Sequence, residues 1–233
     1  MPLRISHALF LFLAIFLALP ARPAEPPPTE QQLLARMDQA ASSFQAMTAQ
    51  IRQISHTEVI NDNSEENGSV AMVKSGPKDF QGLIEYSAPD RKIMLFANKQ
   101  LEIYNPKTDI VQVLDLGKHG EQIAQFFMVG FGTSGKDIAK SYGIALKGTE
   151  QVQGQTTTKV ELIPKSAEAK QYLTKMEMWI PLGSPYPVQE KLYQPSGDYT
   201  LWTYQDLKIN PVLAKDALES KIPANAKREN MQK

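Results

Sequence analysis

Residue types that do covalent or metal chemistry are sparse in this sequence. It has three His and no Cys. His56 and His119 lie beyond the N-terminal segment, and neither has a second His or a Cys nearby, so no metal-ligand cluster is spelled out. There is no Gly-x-Ser-x-Gly nucleophile elbow. Gly130-Phe131-Gly132-Thr133-Ser134-Gly135-Lys136 has the GxxxxGK spacing of a phosphate-binding loop. Asp137 stands where that loop needs a metal-holding Ser or Thr, and the preceding segment has helical rather than strand periodicity. An enzyme is thus the class with least support, and no metal or cofactor is expected.

The remaining chemistry is apolar and non-covalent. Ile123, Phe126, Phe127, Gly130 and Phe131 fall at i, i+3, i+4, i+7 and i+8, one wide stripe on a helix spanning Gly120 to Gly135. Half of the six Phe residues beyond the N-terminal segment lie here. The stripe reads as a lid helix over a concave sheet; the simpler reading is an ordinary helix on an ordinary sheet. Met94, Met128, Met176 and Met178 offer unbranched, adaptable side chains beside Phe96, Trp179 and Trp202. Leu83, Met94, Phe96, Ile123, Phe126, Phe127, Phe131, Met176, Met178 and Trp202 are the candidate lining of an apolar cavity. Strand parity is open at Gly82 to Ile84, where both faces are apolar.

These residues need elements to hold them. Thr29 and Gln32 spell a capping box for a helix from Glu30 to about Phe44. From Ala46 the period changes to that of strands. Strands are expected from Ala46, at Ser69–Lys74 after a polar turn (Asn61 to Gly68), and from Phe80 to just before Pro89. Lys92–Phe96, Leu101–Tyr104 and Ile110–Leu114 complete an antiparallel meander. After the lid come a short helix, about Lys136 to Tyr142, and five more strands: Ile144–Leu146, Thr156–Ile163, Leu173–Ile180, Val188–Tyr193 and Tyr199–Ile209. About eleven strands with two interior helices predict a mainly β fold: a curled, unclosed antiparallel β-barrel covered by lid helices.

The N-terminus reads as a secretory signal over residues 1–21, with Arg4, an apolar run from Ala8 to Leu19 and a small residue at Ala21. That run is too short for a membrane span. A Pro-rich leader occupies 22–28, and 29–233 reads as one domain. Lys plus Arg balances Asp plus Glu at 25 each, which leaves no electrostatic footprint for nucleic acid. With no Cys, the domain must be held by its core, and no lipid-bearing Cys can follow the signal.

The order of motifs resembles the LolA-type outer-membrane lipoprotein carriers over nearly the whole exported chain. Tyr86-Ser87-Ala88-Pro89 is similar to the family's Tyr-x-x-Pro strand end, and Ala97 through Pro106, with Tyr104-Asn105-Pro106, to its hairpin. Val111-Gln112-Val113, Glu161-Leu162-Ile163-Pro164-Lys165, Tyr199 through Pro211 and Ile222-Pro223-Ala224-Asn225-Ala226 follow in family order. The resemblance implies a monomeric periplasmic chaperone whose cavity takes the acyl chains of lipoproteins. It also implies loading by an inner-membrane release complex and delivery to an outer-membrane acceptor. Gly76 stands where the family has an Arg that latches the lid, and Leu83 where many members have a second Arg, which marks a divergent branch. Two other functions fit the fold: carriage of a phospholipid or glycolipid, and a lipoprotein-sensing regulatory domain.

Overall fold

The computed structural model describes residues 26–76, 79–117, 127–214, 216–218 and 221–231. The signal segment, the start of the leader, His119, Ile123 and Phe126 lie outside the described residues. Helix α1 (Glu30–Ser43) begins at the expected capping box. The Thr29 hydroxyl accepts from the Gln32 N–H at 3.3 Å, and Gln32 Oε1 accepts from the Thr29 N–H at 2.9 Å. Two of the helix's otherwise orphaned donors are thereby satisfied. Leu33, Met37, Ala40 and Ala41 form its buried face.

The meander is β1 (Ala46–Thr57), β2 (Asp62–Gly76), β3 (Asp79–Ala88), β4 (Lys92–Ala97), β5 (Gln100–Asn105) and β6 (Ile110–Asp115). Then come α2 (Gly135–Ser141), β7 (Tyr142–Val152), β8 (Gln155–Pro164), α3 (Ala167–Lys170), β9 (Lys175–Pro181), β10 (Gln189–Tyr193), β11 (Tyr199–Ile209) and β12 (Lys227–Asn230). All twelve strands form one sheet in the order β12-β6-β5-β4-β3-β2-β1-β11-β10-β9-β8-β7. Its end strands do not pair with each other, so the barrel is unclosed.

One expectation needs correction. The segment from Asn61 to Gly68 is not a turn: the chain reverses within Glu58–Ile60, and β2 starts at Asp62. Its polar side chains are cross-strand partners in a hairpin wet on both faces. Arg52 Nε donates to Glu65 Oε1 at 2.9 Å, and His56 Nδ1 meets Asn63 Oδ1 at 3.0 Å. Twelve strands form among the described residues, where about eleven were expected. β12 has no apolar residue and thus no alternation to read; its backbone pairs with β6, parallel, in an otherwise antiparallel sheet.

Register fixes which side chains share the concave face. Val160, Met178, Glu190, Trp202, Gln53 and Glu66 form one row across β8, β9, β10, β11, β1 and β2. On the other face of the meander, Leu83, Ile93, Tyr104 and Val111 pack under Ile222 and Ala226 of the C-terminal segment. Trp179 also points away from the concave face, into a group with Val152 and Val188. Beside it runs an ion-pair ladder, in which Lys175 lies 3.1 Å from Glu177 and 3.4 Å from Glu161.

Candidate functional site

The concave face of β1–β3 and β11 is lined by Met47, Ile51, Val70, Met72, Ile84, Trp202 and Tyr204. Phe127 and Phe131 descend into it and leave about 40 Å³ free. Pockets that hold a small molecule usually measure roughly 300–1,000 Å³, so the trough is occupied by the protein's own side chains. The Phe127 ring stacks on Trp202 at 5.5 Å and leans on Phe80 at 5.8 Å. Phe80 in turn stacks on Phe96 at 4.3 Å. Phe131 meets Tyr204 edge-on at 5.3 Å and lies 6.5 Å from Phe44. The two rings act as a plug.

Local backbone chemistry shapes this plug. Phe127 and Met128 are helical, and the N–H groups of Phe131, Gly132 and Thr133 all converge on the Met128 carbonyl, at 2.9–3.1 Å. Gly130 turns the chain at φ +90, a conformation that favours glycine. Ser134 then caps α2, accepting from the Asp137 N–H at 3.1 Å. Helix, not strand, precedes Gly130, and the Lys136 N–H donates to Asp38 of α1 at 3.0 Å. The GxxxxGK spacing is therefore a helix–turn–helix joint rather than a phosphate cradle.

A second cover lies over the rest of the sheet. Leu33 and Met37 of α1, Ile138 of α2 and Val129 pack on Val160, Leu162, Met176, Met178 and Ile180. The α1–α2 contact is close: a Cβ on Gly135 would lie 2.2 Å from the Leu34 carbonyl oxygen. Arg36 ties α1 to the loop after β9 by donating to the Ser184 carbonyl at 2.6 Å.

The structure brings together Met94, Phe96, Phe127, Phe131 and Trp202 around one apolar cluster. Met176 and Met178 face the same side of the sheet but lie beneath α1 and α2. Leu83 lies on the opposite face, under the C-terminal segment, because Gly82 and Ile84 hold the inward parity of β3. Gly76 sits at the end of β2, where a Cβ would lie 3.5 Å from the Asp79 Cβ.

Two polar features were not anticipated. At one end of the trough, Tyr86 Oη and Trp202 Nε1 both donate to Gln53 Oε1. Beside them Lys92 pairs with Glu66 at 2.7 Å and covers the Tyr86 ring at 4.4 Å. Lys92 and Glu66 thus sit at the rim of the concave side. Deeper in, Glu190 is buried; Tyr204 donates to its Oε2 at 2.7 Å, while its Oε1 has no hydrogen-bond partner among the described residues. An unpartnered buried acceptor costs about 1–3 kcal/mol. Burial pushes the Glu190 carboxyl up to about 8, against the Tyr204 hydrogen bond, which lowers it. Among the described residues no group of three or more potential ligands is placed to hold a metal ion, and no helix is long and apolar enough to cross a membrane.

No protein-family model and no curated protein matches the sequence. Solved structures do match its fold. An uncharacterized conserved protein from Thermus thermophilus is 12% identical over 86% of this chain and 98% of its own, with a TM-score of 0.52. A putative outer membrane lipoprotein-sorting protein domain from Vibrio parahaemolyticus is 13% identical, covering 82% and 97%, with a TM-score of 0.43. A LolA superfamily protein from Nitrosomonas europaea is 14% identical, covering 81% and 97%, with a TM-score of 0.36. At 12% identity the likeness to the Thermus thermophilus protein is one of fold alone.

Proposed function

We propose that the protein is a periplasmic chaperone that shelters the acyl chains of lipoproteins on the way from inner to outer membrane. The observation that carries this reading is the plug: an apolar trough filled by two aromatic rings on a short turn. Burying a Phe side chain is worth roughly 1.5–3 kcal/mol, so withdrawing two costs about 3–6 kcal/mol. A long acyl chain gains on the order of ten kcal/mol by leaving water, at about 0.8 kcal/mol per CH₂. An acyl chain thus has enough free energy in hand to displace Phe127 and Phe131 and take their place. The same small margin lets the chain leave when a stronger acceptor is offered. Met47, Met72 and Met94 in the wall can re-pack around either occupant.

Loading by an inner-membrane release complex and delivery to an outer-membrane acceptor belong to this proposal. A release assay tests it. Purified protein is added to spheroplasts that hold newly made, outer-membrane-directed lipoprotein. Lipoprotein should appear in the soluble fraction as a complex, and Phe127→Glu should abolish it. Extraction of free phospholipid or glycolipid without lipoprotein would move the function to lipid transport. No extraction of either would make the plug an ordinary core.

A further inference from the structure

Glu190 stands in the concave face between two expected cavity residues. On β10 it pairs with Met178 of β9 on one side and with Trp202 of β11 on the other. It is 3% exposed. Tyr204 satisfies Oε2, and Oε1 accepts from nothing among the described residues. Native interiors rarely leave such an atom unpaired, and each case calls for an explanation.

The plug itself supplies one. A Cβ on Gly130 would lie 2.7 Å from Glu190 Oε1 and 2.8 Å from Pro187 Cγ. Bare backbone at the turn therefore closes over the carboxyl, flanked by Val129 on the Met178 side and Phe131 on the Tyr204 side. When Phe127 and Phe131 withdraw, Gly130 moves with them. Oε1 is then left as an open polar group in the wall of an apolar trough.

We infer that Glu190 and Tyr204 form a polar subsite inside the acyl cavity, which takes a hydrogen-bond acceptor at the head of the acyl chain, the carbonyl oxygen of an ester or amide. This rests on the carrier reading above. Charge does not demand a cationic ligand: burial lifts the Glu190 carboxyl to about 8, so it is mostly neutral at neutral pH. Oε2 accepts from Tyr204, which leaves the carboxyl proton to Oε1, and that O–H is matched by a neutral acceptor. The carbonyl oxygen of an ester or amide head supplies one; a hydrocarbon of the same chain length does not. The site should therefore hold chains with a carbonyl head about tenfold more tightly, relative to plain hydrocarbons, than a variant without the carboxyl does, the scale of one lost buried hydrogen bond.

The test compares methyl dodecanoate with tetradecane, each displacing an apolar fluorophore from the purified protein. The readout is the ratio of the two affinities in wild type, Glu190→Leu and Glu190→Gln. The ester-to-alkane ratio should fall about tenfold in Glu190→Leu and hold in Glu190→Gln, which keeps a neutral N–H donor at the site. Glu190→Met serves in place of Glu190→Leu if the latter does not fold. An unchanged ratio in the apolar variant overturns the subsite and leaves the carrier reading intact. If neither probe displaces the fluorophore, the carrier reading fails, and the subsite fails with it.

Discussion

Glu190 is held at a depth where a carboxyl does not readily stay charged, and its titration is linked to folding. Its ordinary value is 4.5, and in the folded protein it lies near 8. The folded state therefore holds the proton more tightly than the unfolded chain does. Below pH 4.5 both forms are protonated and Glu190 makes no difference to stability. As pH rises from 4.5 to about 8, the unfolded chain ionises first, and the folded state loses on the order of 5 kcal/mol. Above about 8 the loss is constant. The one titratable group facing Glu190 among the described contacts is Tyr204, whose own value is raised far above this window by burial. Glu190→Gln should flatten the slope: its urea midpoint should exceed the wild-type midpoint at pH 8, with a much smaller difference below pH 4.5. Parallel pH profiles would contradict this. Sequence alone did not expose Glu190. Gln189, Glu190 and Lys191 are polar on both parities, and Leu192 alone hints at which is inward. Trp202 and Phe96 were legible because a large apolar residue on a strand has few places to go. Leu83 was not, since Gly82-Leu83-Ile84 offers two plausible faces and only its partners across β4 and the C-terminal segment decide between them.

Among elements, the start of α1 was readable to the residue because capping is local chemistry between Thr29 and Gln32. The β1–β2 hairpin was misread because its polar residues serve each other across the strands, a relation that spacing along one strand does not show. Gly135 poses a test at this scale. A Cβ there would lie 2.2 Å from the Leu34 carbonyl oxygen, which is backbone and has little room to give. Gly135→Ala should push α1 and α2 apart and cost about 1–3 kcal/mol, read as a lowered Tm. An unchanged Tm would mean that the two helices are not locked at this contact. The plug is an element in the same sense. Phe131→Ala removes a ring that touches Tyr204 and Phe44, and should cost about 3 kcal/mol while enlarging the trough. Increased uptake of an apolar fluorophore would accompany the loss of stability. Lost stability without any gain in dye binding would mean that the trough collapses and cannot serve as a cavity.

For the whole molecule, the alternation of strands foretold an unclosed barrel but not what becomes of its ends. One edge is β7. At the other, the C-terminal segment lays β12 along β6, with the Lys227 N–H on the Asp109 carbonyl at 3.1 Å and the Met231 N–H on the Val113 carbonyl at 2.9 Å. Those groups would otherwise be open edge donors and acceptors. Ile222 and Ala226, just before β12, cover Leu83, Ile93 and Val111. A charged, exposed strand has no apolar pattern, so its place could come only from the backbone pairing. Removing residues 227–233 should leave a folded but association-prone protein, seen as a shift to larger species in size-exclusion chromatography. A monomeric, equally stable truncated form would mean that the β6 edge needs no cover.

The central claim is that acyl chains enter the concave face where Phe127 and Phe131 now sit. The two Trp residues are placed to test it: Trp202 stacks on Phe127 inside the trough, while Trp179 packs on the other face of the sheet. The measurement is fluorescence quenching by a brominated acyl chain in Trp179→Phe and in Trp202→Phe. Quenching should be strong and saturable when Trp202 is the emitter, and weak when Trp179 is. Equal quenching of both, or saturable quenching of Trp179 alone, would place the chain elsewhere and contradict the account.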